Sequence, residues 1–130
     1  AGEGLSLAHT ETRTVGHAIE CRVNAEHAYT GRPSPGMIRT LIAPGGPGVR
    51  VDTYAHAGCM IWPHYDALVA KVITHGHDRG EAIARMRRAL GMFVIEGIET
   101  TVPLHLRVLS DPDFLAGRFT TGFLERFALV

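Results

Sequence analysis

Four groupings of side chains in this sequence could carry chemistry, each of a different kind. The first is Gly45-Gly-Pro-Gly-Val-Arg50. A phosphate cradle needs a glycine-rich loop that runs into a helix N-terminus, or one that ends in a P-loop lysine and hydroxyl. Here Pro47 interrupts the glycines and a β-type segment follows, so the stretch reads as a tight turn. Arg50 outlives that reading, because a planar permanent cation just past a rigid turn is either solvated or an anion site. The second grouping is His75-Gly-His77. Two histidines one residue apart can begin a zinc site, but zinc needs further ligands and a supporting shell. No acidic or Cys partner stands at ligand spacing, so these read as loop histidines and no metal is expected.

The third grouping is Glu20, Arg22, Asn24 and Glu26, with His27 beside them. At a spacing of two they share one face of a strand. That face is either a charged site or an ordinary polar surface whose ion pairs contribute little. The fourth is Lys71, set within the apolar run 66–74. A buried ammonium needs a partner, and Asp66 or Glu96 could supply one, unless the stem carries the charge to the sheet edge. The sequence holds no Ser-His-Asp arrangement, no G-x-S-x-G elbow and no G-x-G-x-x-G fingerprint. By itself it does not read as a complete enzyme.

The elements that must position these residues follow from periodicity. Residues 15–23 alternate strictly, with Val15, His17, Ile19, Cys21 and Val23 on one side, as in a half-buried strand. Two prolines and two glycines make 29–36 a loop. Segments 37–43 and 49–54 are β-type, and the Pro44-Gly-Gly-Pro-Gly48 connection predicts that they pair as a hairpin. Residues 66–74 form a buried strand. At Asp78 the period changes: Asp78 and Glu81 make a capping box, and Ile83, Met86, Leu90 and Phe93 fall on one stripe, which predicts a helix over 79–92. Gly97 interrupts the chain, and Thr101 with Pro103 predicts a second helix, facing Leu104, Val108 and Leu109 inward and stopping at Asp111-Pro112. A short helix is expected over 121–127. Strands first and helices later define an α+β domain: an antiparallel, barrel-sandwich-like sheet packed with a few helices.

The chain has 130 residues, 45% hydrophobic and 20% charged, which supports one domain with a real core. Thirteen Lys and Arg balance thirteen Asp and Glu, and neither a basic stripe nor a long apolar run is present. Nucleic acid and membrane are therefore not expected as partners. Cys21 and Cys59 have no CxxC spacing and read as two buried thiols of a reducing compartment, consistent with a cytoplasmic protein. Residues 1–14 are small, polar and aperiodic, and the start at Ala1 reads as a piece of something longer or as a processed chain.

Several motifs in series then resemble biotin carboxylase: Gly16-His-Ala-Ile-Glu-Cys-Arg-Val-Asn-Ala-Glu26, Pro33-Ser-Pro-Gly36 and Ala43-Pro-Gly-Gly-Pro-Gly-Val-Arg50. Tyr65-Asp66, Lys71, Glu81-Ala-Ile-Ala-Arg-Met86 and Glu96-Gly-Ile-Glu-Thr100 follow in the family's order. The chain is similar to the C-terminal domain of the biotin carboxylase component of a biotin-dependent acyl-CoA carboxylase, with residues 15–130 as that domain and 1–14 as the connection from upstream.

The resemblance implies ATP-dependent carboxylation of biotin by bicarbonate, as in fatty acid metabolism, with biotin presented on a carrier protein. ATP and Mg²⁺ would be bound by upstream ATP-grasp domains, and a carboxyltransferase would be a further partner. None of the ATP machinery falls in these residues, so an ATP-dependent ligase is implied only for the parent. Glu20-Cys-Arg-Val-Asn-Ala-Glu-His27 rhymes with the family's upstream catalytic stretch, but its flanks identify the later strand, and it takes no metal or base duty. Arg50 matches the arginine that meets the biotin ureido oxygen as it becomes an enolate, and Glu96 matches its acidic partner, one methylene longer than the usual Asp. The segment 75–79, with His75 and Arg79, resembles part of the homodimer contact. Glu99 and Thr101 depart from the family's usual Lys and Asn. The competing expectation is a purely structural and dimerising module; a free-standing metal or nucleotide binder is the third.

Overall fold

The computed structural model describes residues 2–4 and 13–127, so most of the expected connecting segment 1–14 lies outside the described residues. Among the described residues, three antiparallel sheets and the helices around them make up the domain. The strands are β1 (His17–Asn24), β2 (Gly36–Met37), β3 (Thr40–Ile42), β4 (Val49–Thr53), β5 (Met60–Ile61), β6 (Leu68–Gly76) and β7 (Val94–Glu96). The helices are α1 (Arg79–Met92), α2 (Val102–Val108) and α3 (Pro112–Leu115), followed by a 3₁₀ turn at Phe123–Phe127. The mixed class, with antiparallel sheets first and helices later, is the one the periodicity predicts. The described strands form one three-stranded sheet in the order β1-β6-β4 and two two-stranded ladders, β2-β5 and β3-β7.

The predicted hairpin between β3 and β4 does not form. β4 pairs with β6, and β3 pairs with β7 more than fifty residues away. The reason lies in burial. Val49 and Val51 pack against the main core cluster, which they can reach only from the edge of the long strand β6. Leu41 is packed against both that cluster and a second one built on Ile38, Ile61 and Val69, so β3 serves as a tie between the two. The proline-interrupted loop 44–48 therefore links two sheets.

Helix α1 spans the predicted residues. Asp78 Oδ1 accepts the Glu81 amide at 2.8 Å, as an N-cap should. The Glu81 carboxylate reaches back to the amide of His77, one residue beyond the cap itself. Ile83, Met86, Leu90 and Phe93 are all buried against Cys21, Val23, Ala70 and Val72 of the sheet. This packing, more than helix propensity, fixes α1. Of the two cysteines, Cys21 is buried, but Cys59 is only half-buried, because it lies in the turn that leads into β5.

Thr101 precedes α2 without capping it. Its Oγ1 instead accepts from the Asn24 amide at 3.0 Å and donates to the Arg22 carbonyl at 3.1 Å. At Gly97 the chain turns with φ +105°, and a Cβ there would overlap the carbonyl of Met37, so β7 can meet β3 only through glycine. Among the described residues no helix is long and apolar enough to cross a membrane.

A charged sheet face as candidate functional site

Because side chains alternate across a strand, the face of β1-β6-β4 opposite α1 is specified by register alone. The ladder places Glu20, Ile73 and Arg50 in one row, and Arg22, Lys71 and Asp52 in the next. The opposite face of the same strands carries Cys21, Val23, Ala70, Val72 and Val51 into the core. The face expected from β1 alone is thus partly assembled. Glu20 and Arg22 lie on it, but the register shifts between Val23 and Asn24, and the side-chain Nδ2 of Asn24 donates to Glu26 at 3.4 Å.

Arg50 stands on β4, two residues past Gly48. The left-handed φ of +69° at Gly48 and the absence of a Cβ let the loop pass against the His75 carbonyl and the Arg85 guanidinium. The Gly48 carbonyl accepts from the His75 amide at 2.9 Å, and Arg85 is held between the His75 carbonyl and Glu81. Helix α1 therefore braces the turn from which Arg50 projects.

The expected pairing of Arg50 with Glu96 is replaced by another. Asp52 takes Arg50 in a two-pronged contact, Nε to Oδ1 at 2.9 Å and Nη2 to Oδ2 at 2.7 Å. Glu96 belongs to the separate β3-β7 ladder, where its carboxylate accepts from Thr40 Oγ1 at 2.6 Å. No ion pair joins Arg50 to Glu96 among the described residues. The Arg50–Asp52 pair is directional: the hydrogen bond from Arg50 holds the Asp52 carboxyl below the usual range, with Lys71 helping. The same bond raises Arg50, and Glu20 adds a smaller pull. The guanidinium fork has two edges. Asp52 occupies the Nε/Nη2 edge, and the Nη1/Nη2 edge has no hydrogen-bond partner among the described residues. An exposed, oriented pair of N–H donors can receive one oxygen acceptor.

Lys71 faces this site from the central strand. Its register partners are Asp52 and Arg22, so neither Asp66 nor Glu96 is its neutralising group. Asp66 instead lies 4.0 Å from Arg22. His75 and Arg79 are engaged within the chain. His75 Nε2 donates to the Val15 carbonyl at 2.8 Å, and Arg79 Nη2 donates to the Phe114 carbonyl at 2.6 Å, with its guanidinium over the Phe114 ring. No group of three His, Cys, Asp or Glu suited to a metal ion occurs among the described residues.

Two features of the site escape the sequence. One is Asp52, for which the two-residue spacing from Arg50 on a strand is the available signal. The other is an open cleft of about 590 Å³ lined by Tyr54, Met60, Trp62, Tyr65, Asp66 and Leu68, at the end of the charged face. Its aromatic rings are Tyr54, just past β4, and Trp62 and Tyr65 of the turn between β5 and β6.

Comparisons with known proteins place the chain in a family. The family described as the biotin carboxylase C-terminal domain matches residues 20–126. Biotin carboxylase 1 of Bacillus subtilis (strain 168) is 53% identical over 128 residues, covering 98% of this chain and 28% of the relative. A pyruvate carboxylase component of Methanothermobacter thermautotrophicus is 41% identical over 98% of the chain and 26% of its own length. The solved biotin carboxylase domain dimer of Hydrogenobacter thermophilus 2-oxoglutarate carboxylase, in complex with MgADP, ADP and bicarbonate, superposes with a TM-score of 0.93 at 42% identity. That match covers 96% of this chain and 28% of the solved one. This chain belongs to the biotin carboxylase C-terminal domain family. It spans little more than a quarter of the length of these relatives.

Proposed function

We propose that this domain completes the biotin-accepting half of a biotin carboxylase, with Arg50 as its catalytic residue. The observation that carries the reading is the free Nη1/Nη2 edge of Arg50 on an exposed, charged sheet face. Biotin enters as a carrier-borne substrate, and its ureido oxygen is an acceptor of the kind that edge fits. As the ring nitrogen loses its proton ahead of carboxylation, negative charge grows on that oxygen, and it passes to the new carboxylate when the N–C bond forms. A fixed permanent cation stabilises such charge more in the transition state than in the ground state. ATP and Mg²⁺ would be held by upstream ATP-grasp domains, and this chain would supply orientation and charge.

Carrier protein and carboxyltransferase are the partners this reading requires. The relatives serve pyruvate and 2-oxoglutarate carboxylases as well as biotin carboxylases named without an acceptor, so the acceptor is not part of the proposal. The parent would be a homodimer, supported by the Hydrogenobacter domain dimer, with the segment 75–79 at or near the contact. The fragment alone would be inactive.

The test is Arg50→Ala in the full-length enzyme. Biotin carboxylation should fall by on the order of a hundredfold or more, as for other lost oxyanion donors. Bicarbonate-dependent ATP cleavage without biotin should suffer much less. Equal loss of both, or no loss, would remove Arg50 from this role.

A further inference from the structure

We propose that Asp52 is the positioning residue for Arg50, the part that Glu96 would play if the Arg50–Glu96 pairing held. The inference rests on the reading of Arg50 given above and adds the group through which that arginine is aimed.

Three observations carry it. First, an arginine on an exposed strand has several freely rotating bonds, so an unheld guanidinium samples many directions. A two-pronged carboxylate contact removes that freedom and also fixes the plane of the fork. Asp52 makes that contact, at 2.9 and 2.7 Å, from the same face of the same strand. Arg50 and Asp52 thus move as one unit with β4. Second, the carboxylate takes the Nε/Nη2 edge and leaves the Nη1/Nη2 edge, which orients the free donors outward. Third, Asp52 is itself restrained, since it lies opposite Lys71 on β6 and only 36% of its side chain is exposed, against 72% for Arg50. The partner is therefore the more fixed of the two. Glu96 is committed to Thr40 in a different ladder.

A residue that works through Arg50 has a signature that a merely structural residue lacks: its loss should not matter once Arg50 is gone. In the full-length carboxylase carrying this domain, Asp52→Ala should lower kcat for biotin carboxylation by roughly tenfold, since small misplacements of a catalytic group cost about that much or more. KM for free biotin should change little, and biotin-independent ATP cleavage should be unaltered. Arg50→Ala and the double variant Arg50→Ala/Asp52→Ala should be indistinguishable. Asp52→Glu should recover part of the loss. Asp52→Asn retains shape and one acceptor, and serves if the alanine variant fails to fold.

The proposal is overturned if the Asp52 variants carboxylate biotin normally, if their effect multiplies with that of Arg50→Ala, or if Glu96→Gln shows the non-additivity instead. A crippled Arg50→Ala beside a normal Asp52→Ala removes only this inference. A normal Arg50→Ala removes the assignment of Arg50 as well.

Discussion

The hydroxyl of Thr101 covers the open edge of β1 at Asn24. At Val23/Asn24 the β1-β6 register shifts, but Asn24 stays opposite Leu68, and its backbone amide donates to Thr101 Oγ1 at 3.0 Å. The same hydroxyl donates to the Arg22 carbonyl at 3.1 Å, so a single side chain ties the end of β1 to the start of α2. Thr101→Val keeps the shape and removes both bonds at a site only 8% exposed. It should cost about 1–3 kcal/mol in urea unfolding, the usual penalty for orphaned buried polar groups. Thr101→Ser should cost less than the valine.

His105 makes the second tie to the same carbonyl. Its Nε2–H donates to Arg22 O at 2.8 Å. Burial pushes its pKa below the ordinary 6.5, and the bond to Arg22 O opposes this only in part. The folded state thus binds its proton less readily than the unfolded chain. The contribution of His105 is fully present above pH 6.5 and is lost as pH falls below that value toward the lowered folded pKa. Urea midpoints measured from neutral pH down to mildly acidic pH should decline, and His105→Gln should flatten that part of the curve. An identical slope in the variant would assign the decline to other groups.

Gly48 and Gly45 lie in one loop but should respond differently to alanine. Gly48 has φ +69°, and a Cβ there would overlap the His75 carbonyl and the Arg85 guanidinium, whereas nothing lies within 4 Å of a Cβ at Gly45. Gly48→Ala should destabilise by more than about 1 kcal/mol and Gly45→Ala by less than about 0.5 kcal/mol. Because Gly48 sets the exit angle of β4, the Gly48 variant should also lower biotin carboxylation in the full-length enzyme. Denaturation and turnover together check this.

The thiols should differ in reactivity. Burial, helped by Glu20, pushes Cys21 up to about 12, so it presents almost no thiolate at neutral pH. Cys59 is half-buried, in the turn before β5. Brief iodoacetamide treatment of the native protein, read by peptide mass spectrometry, should alkylate Cys59 and spare Cys21. Urea should expose both.

What is legible in the sequence depends on range. Helix α1 can be read to the residue because its cap and stripe lie within a short run of consecutive positions. Strand β1 is legible from alternation, although its partner β6 is not. A β3-β4 hairpin is what the glycine-rich turn suggests locally, whereas β3 pairs with β7 through burial of Leu41 against two clusters at once. Arg50 is reachable through its turn and its motif. Its partner is not, because Asp52 and Glu96 are equally plausible carboxylates until the ladders are known. Lys71 shows the same gap: its placement between Asp52 and Arg22 comes from cross-strand register, which no single segment contains.

Strand β4 also acts as a parity counter. From Gly48, whose carbonyl is anchored to the His75 amide, each residue along the strand faces alternately toward α1 and toward the charged side. Insertions within 44–47 lengthen a loop and leave that count unchanged. One residue gained or lost between Gly48 and Arg50 would bury the guanidinium in the core and turn Val51 out to solvent. Length variation in this lineage should therefore collect before Gly48 and stop there, which makes the end of a loop as length-sensitive as the strand it feeds.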